Sequence, residues 1–246
     1  MRPLAKLTWV ELKLFVREPF ALIFTFAFPV IVLVVLAGVF GSEPDDEAFG
    51  GLVPSDYYLA GYVAVVIAAI GLVALPVHVA TYRERGILRR FRASSVPAWN
   101  VLGAQVVVGL VMAIAGTIVL VIVGRLVYDA ALPEASGRVG VAFTLSTLAF
   151  LAIGFLVAGV TRNARAAQSL GMILFFPMWL LSGAGPPPDV LTEGMRRVSD
   201  AMPLTYAVRA LQDPWLGAGS GTADLIRLAV VAVVAGALSV MTLRSA

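Results

Sequence analysis

The sequence contains no cysteine, which excludes disulfides, thiolate nucleophiles and sulfur-ligated metals. It has one histidine, His78, and two lysines, Lys6 and Lys13. No GxxxxGK[ST] loop occurs, so no ATPase site is expected in this chain, and no HExxH is present to hold a protease zinc. Charge is also scarce. Asp, Glu, Lys and Arg make up 13% of 246 residues, against 60% hydrophobic, and the mean hydropathy is +0.93. A soluble domain carries about 25% charge, so this chain has too little polar surface to stay dissolved and belongs in a bilayer. A helical crossing takes about 20 apolar residues, which leaves room for six to eight crossings and no appended soluble domain. The net charge of +3 gives no reason to expect a nucleic-acid partner.

Charge-free stretches locate the crossings, because a charge at mid-bilayer costs several kcal/mol. Six such stretches predict spans at Phe20–Phe40, Tyr57–Tyr82, Val101–Gly124, Val139–Thr161, Ala166–Ala184 and Leu228–Leu243, the last starting nearer Asp224. The runs are continuous, whereas barrel strands alternate apolar and polar residues. The expected fold is an all-α membrane protein of six transmembrane helices. With the N-terminus inside, twelve of the 18 basic residues face the cytoplasm and twelve of the 15 acids face outward. The positive-inside rule therefore predicts both termini cytoplasmic. The first apolar run is too long for the h-region of a cleaved signal peptide and lacks a clear small-x-small site, so span 1 is expected to remain.

Three segments are not simple spans. Residues 1–19 predict an amphipathic interfacial helix, with Arg2, Lys6, Lys13 and Arg17 on one stripe and Glu11 and Glu18 opposite. Trp9, Leu12, Leu14 and Phe15 supply its apolar contact, and Pro19 marks the turn into span 1. Such a helix can be a topology anchor and nothing more. Residues 83–97 hold the densest charge: Arg83, Glu84, Arg85, Arg89, Arg90 and Arg92. On a helix Arg85, Arg89 and Arg92 share one face, with Ile87, Leu88 and Phe91 roughly opposite, a pattern that fixes topology or docks on a cytoplasmic partner. Residues 185–227 are too long for a turn yet rich in apolar residues. They predict two short helices, near Pro188–Met202 and Leu204–Asp213, dipping back into the outer leaflet.

No carboxylate lies inside a predicted span, and His78 is the only titratable side chain within one. It reads as a packing or pore-facing residue, and coupling to an ion gradient is not expected. Uphill transport would need an engine on another polypeptide. The rival from a different class is a rhomboid-like intramembrane serine protease using Ser182 and His78, although Leu180 stands where GxSG needs its first glycine and His78 precedes the serine. A passive channel or scaffold also fits the composition. Pro29, Pro76 and Pro177 predict helix kinks.

The N-terminal helix, the six spans and two motifs together resemble the type-2 ABC exporter permeases. The motifs are Arg83-Glu84-Arg85-Gly86 followed by Leu88-Arg89-Arg90-Phe91-Arg92-Ala93-Ser94, and Met202-Pro203-Leu204-Thr205-Tyr206-Ala207-Val208 ahead of span 6. The chain is most similar to the daunorubicin-type drug-resistance permeases of actinobacteria. The resemblance implies a multi-pass subunit of the bacterial plasma membrane that works with a second permease, identical or paralogous, and two cytoplasmic ATP-binding subunits. ATP and magnesium would be bound by those partners, with no cofactor in this chain. Residues 83–97 would be the coupling helix, contacting the ATPase through Arg83, Glu84, Arg85, Gly86, Leu88, Arg89, Arg90, Phe91 and Arg92. The N-terminal helix would be the connecting helix, with Lys6, Trp9, Lys13 and Arg17. The segment from Gly185 to Asp213 would gate exit through Pro203, Leu204, Thr205, Tyr206 and Arg209; Arg209 departs from the acid that the family often has there. Spans 1, 2 and 5 would surround the path.

Candidate path residues are Phe24, Phe28, His78, Phe175, Phe176, Met178 and Trp179. This aromatic and Met-rich set suits a hydrophobic or amphipathic compound, whether drug, antibiotic or lipid, better than a polysaccharide.

Overall fold

The computed structural model describes residues 2–41, 43–44, 49–86 and 98–244. Every regular element among them is a helix. An interfacial helix, α1 (Arg2–Val16), comes first. Six helices are long and apolar enough to cross a membrane: span 1 Ile23–Phe40, span 2 Pro54–Glu84, span 3 Leu102–Tyr128, span 4 Ser136–Val160, span 5 Ala164–Leu181 and span 6 Thr222–Thr242. An even number of crossings puts both termini at one end of the bundle, called here the near end.

Span ends run beyond the charge-free stretches because helix termini accommodate charge. Pro54 occupies the first turn of span 2 with Asp56 beside it, where a missing N–H costs nothing and an acid faces the positive end of the helix dipole. Gly86 ends that helix at φ 66°, and its amide donates back to the Arg83 carbonyl at 3.0 Å. Span 3 continues past Arg125, whose guanidinium caps the last turn through the Ala130 carbonyl at 3.0 Å. Between spans 5 and 6 lie two short helices, α2 (Glu193–Ser199) and α3 (Pro203–Trp215). Span 6 begins at Thr222, close to the start near Asp224 expected from the sequence, so residues 222–227 of the predicted outer segment are its first turns.

Span 2 is the core of the bundle. Over its apolar window 89% of residues are buried, against 17% for spans 5 and 6. Alanines and glycines such as Ala60, Gly61, Ala64 and Ala68 let neighbouring backbones approach it from every side.

Two of the predicted kinks are π turns, at Ile23–Ala27 in span 1 and Ile70–Ala74 in span 2. Each precedes a proline by two residues, Pro29 and Pro76. A helical proline lacks the N–H that its i−4 carbonyl needs, so the carbonyls of Thr25 and Leu72 lose their usual partners, and the helix absorbs the fault as one wider turn. Glycines take up the protruding backbone. A methyl group added to Gly171 of span 5 would collide with the Leu72 carbonyl, and one on Gly154 of span 4 with the Gly71 carbonyl. One on Gly71 would sit 2.5 Å from the Phe150 carbonyl oxygen. The π turn of span 2 is therefore wedged between spans 4 and 5 by backbone contacts that tolerate no side chain.

Candidate functional site

At the near end, α1 docks through a polar residue. Glu11 is 3% exposed. Its carboxylate accepts hydrogen bonds from His78 Nε2 at 2.7 Å, Tyr82 Oη at 2.6 Å and Gln105 Nε2 at 2.7 Å. A carboxylate can only accept, so Nε2 of His78 carries the proton. Burial alone would raise the Glu11 pKa, but the hydrogen bonds from His78, Tyr82 and Gln105 outweigh it and hold the carboxyl below its ordinary range. Phe15 is also buried on this face.

Glu11 was expected on a face away from the cations, and it faces the protein. Trp9 and Leu14, expected to supply apolar contact, are exposed together with Val10 and Val16, and Lys13 Nζ lies 5.1 Å above the Trp9 ring. Lys6 lies on the same helix and Arg17 just past its end, exposed. The helix thus turns a carboxylate to its spans and an apolar, basic face outward, because the spans supply donors that no lipid can.

The Arg83-Glu84-Arg85-Gly86 motif divides. Arg83 and Glu84 form the last turn of span 2 and reach the turn between spans 4 and 5. Arg83 Nη1 donates to the Ala158 and Gly159 carbonyls at 2.8 and 3.1 Å, capping the C-terminus of span 4. Glu84 Oε2 accepts from the Ala164 amide at 3.3 Å, at the N-terminus of span 5. A cation meets a negative helix end and an acid a positive one. Arg85 points outward, exposed. Leu88, Arg89, Arg90, Phe91 and Arg92, the rest of the expected coupling helix, lie outside the described residues.

Spans 1 and 5 share an aromatic face. Phe28 is the hub, with ring centroids 5.6 Å from Phe24, 5.8 Å from Phe175, 6.4 Å from Phe176 and 5.4 Å from Trp179. Most contacts are edge-to-face, the favoured arrangement of ring quadrupoles. Phe175 is buried, while Phe176 is 40% exposed. Trp179 Nε1 donates to the Tyr62 hydroxyl at 3.3 Å, joining this face to span 2. Met178 is half-buried against the core. His78, expected with the path residues, is instead held by Glu11; it lines an open cavity of about 100 Å³ beside Glu18 and Gln168.

At the far end, Leu204 and Thr205 of α3 are buried. Gln212 donates to the Tyr57 carbonyl at 3.0 Å, and the Tyr57 hydroxyl to the Gly183 carbonyl at 3.0 Å. Tyr206 donates to the Asp200 carbonyl at 2.7 Å, and Arg209 pairs with the Asp200 carboxylate at 2.8 Å. Arg209 thus has its own acid in the turn just ahead of α3.

Residues 4–214 match the family model described as ABC-2 type transporter. The chain belongs to that family. It is also 21% identical over 229 residues to the protein named "Putative transport permease YvfS" of Bacillus subtilis (strain 168), covering 92% of this chain and 86% of that one. The chain is therefore a multi-pass membrane protein and a transport permease of the ABC-2 type, and membership implies an ATP-binding subunit on a separate chain.

The protease alternative fails on the geometry of this ABC-2 permease. Ser182 follows the far end of span 5, where its hydroxyl bonds to the Trp179 carbonyl at 3.2 Å and the Ala184 amide at 3.3 Å. Tyr57 holds the adjacent Gly183, and His78 lies 21 residues further along span 2, about 30 Å at 1.5 Å per residue. Ser182 and His78 cannot pair. Sequence reasoning missed Tyr82, Gln105 and the inward role of Glu11. The available signal was an isolated Gln in an apolar span and a lone His, each needing a partner if buried.

Proposed function

We propose that this permease is the membrane half of an ATP-driven exporter in a bacterial plasma membrane, with both termini cytoplasmic. Two permeases, identical or paralogous, would assemble with two ATP-binding subunits that hold ATP and magnesium. Residues 83–97 would receive the ATPase, and the outer segment with α2 and α3 would gate exit. The substrate is a hydrophobic or amphipathic compound, whether drug, antibiotic or lipid. The convergence of Phe24, Phe28, Phe175, Phe176 and Trp179 on one face of spans 1 and 5 carries this reading of the substrate. Five rings with a single indole N–H among them offer stacking and apolar contact and little hydrogen bonding.

Expressed with the ATPase of a neighbouring gene, the permease is expected to co-purify with it and to export a hydrophobic dye from vesicles only with ATP. Phe28→Ala should raise the KM for that dye about tenfold with little change in ATP hydrolysis, a loss of about 1.4 kcal/mol of aromatic contact. A stable permease that recruits no nucleotide-binding subunit would overturn the exporter reading, and an unchanged KM would overturn the assignment of the face.

A further inference from the structure

Glu11 is the most deeply buried charged side chain among the described residues, and it lies on a helix outside the spans. Its three donors come from two helices. His78 and Tyr82 are one turn apart on span 2, and Gln105 is on span 3. These are the two helices that flank residues 87–97. A leucine at position 11 would anchor an interfacial helix without the desolvation cost of a carboxylate, so stability alone does not account for a glutamate here. Three converging hydrogen bonds fix what apolar contact leaves loose, the rotation and register of α1. Phe15 and Leu12 also pack α1 against the core, but these contacts are apolar and non-directional, while Trp9, Val10, Leu14 and Val16 are exposed.

One turn beyond His78 is the π turn Ile70–Ala74, where the regular hydrogen-bond ladder of span 2 is interrupted. The part of span 2 on the near side of that turn, Leu75–Glu84, is therefore tied to α1 and, through Gln105, to span 3.

We propose that Glu11 is a positioning residue that locks α1 to both helices flanking residues 87–97, so that α1, Leu75–Glu84 and the start of span 3 move as one body about the π turn. The proposal rests on the exporter reading, in which the ATPase displaces residues 87–97. The lock then keeps that displacement from being lost in independent motion of the two flanking helices.

The absence of cysteine allows paired spin labels at Val10→Cys on α1 and Val107→Cys on span 3, both exposed positions. In nanodiscs the otherwise native permease is expected to give one narrow distance distribution, unchanged in the complex with ATP trapped. Glu11→Ala should broaden it and lower the substrate exported per ATP hydrolysed about tenfold, because three donors, two of them buried, lose their acceptor. Tyr82→Phe, which keeps the ring and removes one bond, should broaden it less. Glu11→Gln retains a carbonyl acceptor and should recover much of both signals. A Glu11→Ala distribution as narrow as the native one, an unchanged coupling ratio, or a native distance that shifts on ATP trapping would overturn the lock. If labels broaden as expected while no variant exports with ATP, the lock stands and the exporter reading falls.

Discussion

Replacing Gly171 by alanine should lower the midpoint of thermal unfolding by about 10 °C, and Gly171→Val should leave little folded protein in the membrane. A Cβ at this position meets the Leu72 carbonyl, a backbone atom that cannot rotate away. That carbonyl protrudes because Pro76 removes its helical donor, so spans 2 and 5 can meet here only through hydrogen. Relief would require span 5 to withdraw from the span 2 core. The comparison is Gly140→Ala on span 4, where nothing lies within 4 Å of an added Cβ and a glycine-to-alanine change in a helix is neutral or favourable. Thermal unfolding in detergent, read side by side for the two variants, decides the matter. A Gly171→Ala midpoint equal to that of the native protein would show that the wedge does not hold the bundle.

Changing Arg85, Arg89 and Phe91 together to Glu, Glu and Ala should abolish ATP-dependent export and co-purification of the ATPase while leaving insertion and thermal stability intact. Arg85 is exposed beyond the end of span 2, so its reversal costs the bundle little, and reversing two cations on a docking surface sets like charges against a partner chosen for the opposite sign. Arg83→Ala is expected to act differently. Its guanidinium bonds two carbonyls at the end of span 4, and hydrogen bonds to charged groups are worth about 1.5–3 kcal/mol each. Its loss should lower the unfolding midpoint before it touches recruitment. Efflux and assembly that survived the triple change would reduce residues 83–97 to a topology anchor.

These two experiments probe parts of the molecule that differ in how openly the sequence declares them. The six spans could be read from charge-free runs, since the bilayer imposes the same rule on every crossing, and only their ends shifted, at Glu84, Tyr128 and Thr222. The aromatic set was legible as a composition. That Phe24 and Phe28 meet Phe175, Phe176 and Trp179 depends on which faces of spans 1 and 5 oppose each other, which two separate helical periodicities do not state. The motif at Arg83 was read as one unit facing a partner, but two of its members close on the turn between spans 4 and 5, because helix ends brought near in space attract charges that the linear order assigns elsewhere.

Composition and charge order alone determined that this chain spans a membrane six times, has no phosphate-binding loop of its own and holds its basic residues toward one end. The first and the last follow from the solvent: hydrocarbon rejects charge wherever it occurs along the chain. Only the tertiary structure decided that Glu11, read only as lying opposite the cations of an interfacial helix, is the acceptor on which His78, Tyr82 and Gln105 converge. The cost of burying a carboxylate is set by donors 67 to 94 residues away, and their convergence exists only once spans 2 and 3 have packed.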